Sequence, residues 1–232
     1  MLTQSPLAAV YWPYCEVMAR QRLVLLHGVA TTGVVWQPVV AELGALGLNN
    51  RFDISAPDRP ATGRLDDELA WLAPLAEDAW VVGFSGGATL GLALAARGLR
   101  MHGAVLHEPA VGSLVPGLLG PAAEAFRNDG YAGFGHALYG SGWNPAMAPE
   151  DGNTVARELP MFRAFEPGPP SPAAGRVVVS VGEFSPVLRQ RASLELQRRW
   201  RLEQAVVPHS SHFAPHDHPS EFARMVSAIL SE

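Results

Sequence analysis

Short apolar runs recur along the chain at residues 23–26, 80–82, 104–106, 177–181 and 205–207, and stretches with helical spacing lie between them. A strand covered on both faces reads as an unbroken apolar run, and strands that alternate with helices pair in parallel. The pattern predicts an α/β fold: a mostly parallel sheet with helices on both faces. A weaker strand at 53–56 stops before Pro57, and candidate edge strands lie at 7–11 and 16–19, which brings the expected sheet to eight strands. Helices are expected over 34–46, 66–76, 86–97, 186–200 and 219–230.

Between residues 112 and 171 the alternation breaks, with ten glycines and eight prolines in the interval. Such a composition suits a linker. However, Phe126, Tyr131, Phe134, Tyr139, Trp143, Phe162 and Phe165 are more aromatics than a solvated linker carries, so a folded insertion is expected. Residues 1–111 and 172–232 then form one core. A chain of 232 residues, 48% of them hydrophobic, suits a single domain with such an insertion.

Composition removes several chemistries. All 17 basic residues are arginine, so a Schiff-base lysine, lysine-anchored pyridoxal phosphate and a Walker-type phosphate loop are excluded. Cys15 is the only cysteine, which rules out an internal disulfide and any multi-cysteine metal site. The net charge of −5 disfavours nucleic acid or an anionic membrane as partner. One basic cluster, Arg189, Arg191, Arg198, Arg199 and Arg201, is interleaved with Leu188, Ala192, Leu194 and Leu196 and reads as a solvated helix face. Pro6 and Pro13 interrupt the N-terminal stretch, and no apolar run approaches the roughly 20 residues of a membrane span. A cytoplasmic protein with a small-molecule partner is expected.

The chemistry concentrates at Gly83-Phe84-Ser85-Gly86-Gly87, a G-x-S-x-G between an expected strand and an expected helix. A tight strand-to-helix turn lifts a serine hydroxyl clear of the backbone at a helix N-terminus, and glycines two positions before and after relieve the crowding. A dinucleotide site would need G-x-G-x-x-G, which is missing here. Leu25-Leu26-His27-Gly28-Val29 ends another strand and runs through Thr31, Thr32 and Gly33 to Trp36. In these two segments the chain resembles the α/β-hydrolases. The resemblance implies that the backbone N–H groups of Val29 and Gly86 form an oxyanion hole, and that His27 is structural. Asp58-Arg59-Pro60-Ala61-Thr62-Gly63 resembles a structural loop of the same enzymes, and 112–171 falls where that fold carries its cap.

The resemblance also implies a catalytic histidine after the last strand. Val207-Pro208-His209-Ser210-Ser211-His212-Phe213 offers two, and the small residue before His212 favours that one. A metal shared by His212 and His216 is disfavoured by Pro215 between them, and neither metal nor cofactor is expected. The usual acid follows the seventh strand as G-x-x-D, but here Gly182-Glu183-Phe184-Ser185 places a serine there. Glu108, at the end of the sixth expected strand, is the preferred acid, with Glu183 and Asp217 as alternatives. Tyr139 and Trp143 are expected in the substrate pocket. The implied function is a carboxylesterase-like serine hydrolase, cleaving a small, largely apolar ester or related carbonyl compound through Ser85, His212 and Glu108. A cofactor-free lyase, cyclase or oxygenase using the His–acid pair as base, or a catalytically silent binding protein, are the alternatives.

Overall fold

The computed structural model describes residues 20–231. Six strands form one sheet: β1 (Gln21–Leu26), β2 (Phe52–Ser55), β3 (Ala79–Phe84), β4 (Gly103–His107), β5 (Arg176–Gly182) and β6 (Glu203–Val207). All pair in parallel in the order β2-β1-β3-β4-β5-β6. The expected eight strands are therefore six among the described residues. The two edge candidates at 7–11 and 16–19 lie outside the described residues.

Eight helices accompany the sheet among the described residues: α1 (Gln37–Ala45), α2 (Leu65–Ala76), α3 (Gly86–Ala96), α4 (Gly120–Tyr139), α5 (Thr154–Ala164), α6 (Val187–Trp200), α7 (Ala214–Asp217) and α8 (Pro219–Ser231). The helix expected over 34–46 is divided. A 3-10 turn at Gly33–Trp36 precedes α1, where Pro38 falls in the first turn, a position that tolerates its missing N–H. On α8, Phe222, Ala223, Val226, Ile229 and Leu230 form one apolar stripe, as a helix lying on a core requires. α3 is buried on every side from Gly86 to Ala95, which explains why its sequence is apolar all round.

The chain passes from β1 outward to β2 and then returns across β1 to β3. Connections therefore diverge between β1 and β3, and a crevice opens outside their carboxyl ends. Register sets the depth of the loops there: Leu26 pairs with Gly83, Phe84 with His107, His107 with Ser180 and Gly182 with Val207. Segments following β1, β3, β4, β5 and β6 thus leave the sheet along the same carboxyl edge.

The segment between β4 and β5 holds α4, α5 and several 3-10 turns. α4 is broken at Gly130, whose φ of 60° and ψ of −144° suit glycine. Phe134, Tyr139, Trp143, Phe162 and Phe165 are buried. No helix among the described residues is long and apolar enough to cross a membrane.

Candidate active site

β3 ends at Phe84 and α3 begins at Gly86, leaving Ser85 alone in the turn with φ 54° and ψ −119°. A non-glycine residue held there costs about 1–3 kcal/mol and persists only where its surroundings fix it. Here the Ser85 N–H donates to the His107 carbonyl at 2.9 Å, while the Ser85 carbonyl accepts from the Thr89 N–H and hydroxyl at 3.0 and 2.9 Å. The flanking glycines are required by contact. A Cβ on Gly83 would lie 2.6 Å from the Gly87 carbonyl carbon, and one on Gly87 would overlap the Leu26 carbonyl oxygen.

His212, in the loop after β6, places Nε2 3.0 Å from Ser85 Oγ and Nδ1 2.8 Å from Glu108 Oε2. Glu108 directly follows β4 and, like Ser85, has a positive φ, 50°. Its Oε1 accepts from the Gly182 N–H at 2.9 Å and from the Ser185 hydroxyl. Burial pushes the Glu108 carboxyl up, but the His212 hydrogen bond and the neighbouring His107, His212 and Arg189 charges outweigh it and leave the group well below the usual carboxylate range. An ionised carboxylate only accepts, so Nδ1 carries the imidazole proton and the Nε2 lone pair faces the Ser85 hydroxyl. Burial, then the Arg189 cation, lowers His212 to about 4 against the opposing pull of Glu108. The imidazole is neutral at pH 7 and able to accept a proton.

The other candidate acids stand elsewhere. Glu183 is directed at His209, accepting its N–H at 2.7 Å on the surface, and Asp217 pairs with His216 Nδ1 at 2.8 Å. Ser185, at the position where the family pattern places the acid, donates to Glu108 instead. Among the described residues, no group of three His, Cys, Asp or Glu could hold a metal.

Arg189 corrects the reading of the basic cluster as a wholly solvated face. It is buried at 6% exposure, donates to the Glu108 carbonyl at 3.0 Å and lies 3.6 Å from Glu108 Oε2, whereas Arg191, Arg198, Arg199 and Arg201 are exposed. The signal was present in the spacing. Arg189 shares the buried stripe of α6 with Ala192, Ser193 and Leu196.

Beside Ser85 is a cavity of about 20 Å³, lined by Val29, Gly86, Thr89, Ala110 and Arg189 together with Leu119, Phe134, Leu138, Leu159 and Phe162 from the β4–β5 segment. A second cavity of about 310 Å³ along residues 110–120 shares Ala110, Leu119 and Phe162 with it. The Val29 and Gly86 N–H groups donate to no protein acceptor among the described residues, and Gly86 opens α3. Tyr139 and Trp143 are not among the residues that line this small cavity, and both reach the loop after β1. The Tyr139 ring stacks on His212 at 5.6 Å and its hydroxyl donates to the Val29 carbonyl at 2.6 Å, while the Trp143 indole donates to the Ala30 carbonyl at 2.8 Å.

Residues 23–225 match the family described as the alpha/beta hydrolase family. Among solved structures, the fold is similar to that of the enol-lactonase from Burkholderia xenovorans LB400, with a TM-score of 0.69, 19% identity and 92% of each chain covered. It is similar also to the carboxylesterase CesB (YbfK) from Bacillus subtilis, with a TM-score of 0.64 and 18% identity over 92% of this chain and 84% of that one. A pyrethroid hydrolase from Sphingobium faniae JZ-2 matches with a TM-score of 0.64 and 14% identity over 91% of this chain and 97% of the other. No curated protein matches the sequence.

Proposed function

Because this chain belongs to the alpha/beta hydrolase family, we propose that it is a serine hydrolase opening small, largely apolar carboxylic esters or lactones through an acyl-enzyme on Ser85. The observation that carries the reading is the continuous hydrogen-bonded chain from Ser85 Oγ through both His212 nitrogens to Glu108. The names of the similar structures, enol-lactonase, carboxylesterase and pyrethroid hydrolase, favour this bond class over lyase, cyclase or oxygenase chemistry.

In this reading Ser85 Oγ attacks the substrate carbonyl carbon as His212 Nε2 takes the hydroxyl proton. The imidazolium is stabilised through Nδ1 by Glu108, and the new oxyanion is bound by the Val29 and Gly86 N–H groups, each worth roughly 3 kcal/mol in the transition state. Collapse expels the alkoxide, which receives the Nε2 proton. Water, deprotonated in turn by Nε2, then cleaves the acyl ester and regenerates Ser85. Burial first, and the Arg189 cation second, keep His212 an unprotonated base far into the acid range.

Residues 112–171 serve as the cap. The 20 Å³ at Ser85 has room for about one water, so an ester is admitted only when Leu119, Leu138 and Phe162 move outward, with Gly130 in α4 as the natural hinge. A panel of aryl and alkyl esters and lactones tests the proposal. Turnover by the wild type that disappears in Ser85→Ala supports it, and turnover retained by Ser85→Ala, or absent across the panel, refutes it.

A further inference from the structure

Arg59 follows β2 and is 5% exposed, and the mechanism above does not use it. Its Nη1 meets Glu68 of α2 at 3.2 Å and Glu158 of α5 at 2.6 Å. On its other edge, Nε donates to the His27 carbonyl at 3.1 Å and Nη2 to the Gly28 carbonyl at 3.2 Å. The Arg59 backbone N–H donates to His27 Nε2 at 3.0 Å, which leaves the His27 proton on Nδ1, 2.9 Å from the Gly28 carbonyl oxygen. The Thr31 hydroxyl donates to the same oxygen at 3.0 Å. One carbonyl thus collects donors from His27, Thr31 and Arg59.

In a trans peptide the C=O and N–H point in opposite directions, and no described peptide is cis. Donors gathered on the Gly28 oxygen therefore fix the direction of the Val29 N–H. By drawing electron density toward that oxygen they also make the N–H a stronger donor. We propose that Arg59 is a positioning residue for the oxyanion site: it aims and polarises the Val29 N–H through the Gly28 carbonyl, and its pairing with Glu158 makes that aim depend on the seating of residues 112–171. The inference rests on the esterase reading for its catalytic consequence and on geometry alone for the hold on the peptide. Other contacts tie the same loop to the same segment. Tyr139 holds the Val29 carbonyl, Trp143 the Ala30 carbonyl, and the Thr32 N–H donates to the Met147 carbonyl at 2.8 Å. A cap displaced from Glu158, Tyr139 and Trp143 releases the loop that carries the oxyanion donor, so full transition-state stabilisation returns only when the cap reseats.

The test compares Arg59→Lys, Thr31→Val and Glu158→Gln with the wild type, using ester turnover, affinity for an alkyl trifluoromethyl ketone and the Val29 amide proton resonance. Thr31→Val leaves the ion network whole and keeps the test decisive should Arg59→Lys fail to fold. Each variant is expected to lower kcat, by about 10- to 100-fold for Arg59→Lys, with KM within about threefold, as loss of an oxyanion donor requires. Ketone affinity should fall in parallel, the Val29 amide proton should move upfield, and the acidic limb of the pH profile should stay in place because His212 and Glu108 are untouched. A lowered melting temperature with wild-type kcat per folded molecule, wild-type ketone affinity and an unmoved Val29 resonance would overturn the assignment. Absence of wild-type turnover and ketone binding would defeat the esterase reading, and the Val29 resonance would still decide whether Arg59 holds the peptide.

Discussion

Replacing Glu108 by Gln changes one atom of a buried side chain and reverses a proton. The Gln carbonyl oxygen can keep the bonds from the Gly182 N–H and the Ser185 hydroxyl, which directs its amide NH₂ at His212 Nδ1, now 2.8 Å from Oε2. An NH₂ group only donates, so Nδ1 must become the acceptor and the imidazole proton must move to Nε2. The face toward Ser85 then presents an N–H where a lone pair is needed. A histidine in the wrong tautomer, without an anion to stabilise its imidazolium, is expected to lower kcat by about 10²- to 10⁴-fold, or ~3–5 kcal/mol. Steady-state hydrolysis of a 4-nitrophenyl ester at pH 7 measures this, with near-ultraviolet circular dichroism to establish that the fold is retained. Glu183→Gln serves as the control and should stay within about twofold, since surface changes away from a site have small effects. If Glu183→Gln loses activity and Glu108→Gln does not, Glu108 is not the acid that orients His212.

Arg189→Gln removes the cation that, after burial, does most to lower His212. In the proposed mechanism turnover needs neutral His212 and is lost as pH falls through its pKa, so the acidic limb of kcat/KM should rise from about 4 toward 6.5 in the variant. A limb that stays in place or moves lower would contradict the electrostatic role of Arg189. Phe162→Ala removes a ring shared by the cavity at Ser85 and the larger one along residues 110–120. It should shift the kcat/KM profile toward longer acyl chains at a stability cost of about 3–5 kcal/mol, and an unchanged chain-length profile would argue that acyl groups bind elsewhere.

What the sequence reveals is mainly what is local or periodic. The strand, turn and helix around Ser85 occupy one short stretch, so residue type and spacing predict them together, and the structure places β3 and α3 on either side. Glu108 and His212 each follow an apolar strand, and parallel register carries both ends to the same carboxyl edge as Ser85. Side chains whose partners are remote in sequence were harder to read. Arg59 pairs with Glu158, 99 residues away, and no local pattern joins them. Arg189 sits on a helix whose charge suggested a solvated face, and only its register with Ala192, Ser193 and Leu196 marks it as buried. Aromatic content indicated a folded segment at 112–171 without distinguishing the rings that line a cavity from those, like Trp143, that anchor a loop. Ser185 could have been read as the partner of a relocated acid, because a small hydroxyl at a vacated carboxylate position can still hydrogen-bond to one.

In the proposed mechanism Ser85 is a nucleophile activated by His212. Treating the protein with a fluorophosphonate probe at pH 7 and mapping the adduct by peptide mass spectrometry tests it most directly, because the reagent forms a bond to serine only where a base removes the hydroxyl proton during attack. One adduct per chain is expected, located on Ser85, absent from Ser85→Ala and much slower to form in His212→Ala. Equal labelling in Ser85→Ala, or robust ester turnover by a wild-type enzyme that never becomes labelled, would contradict it.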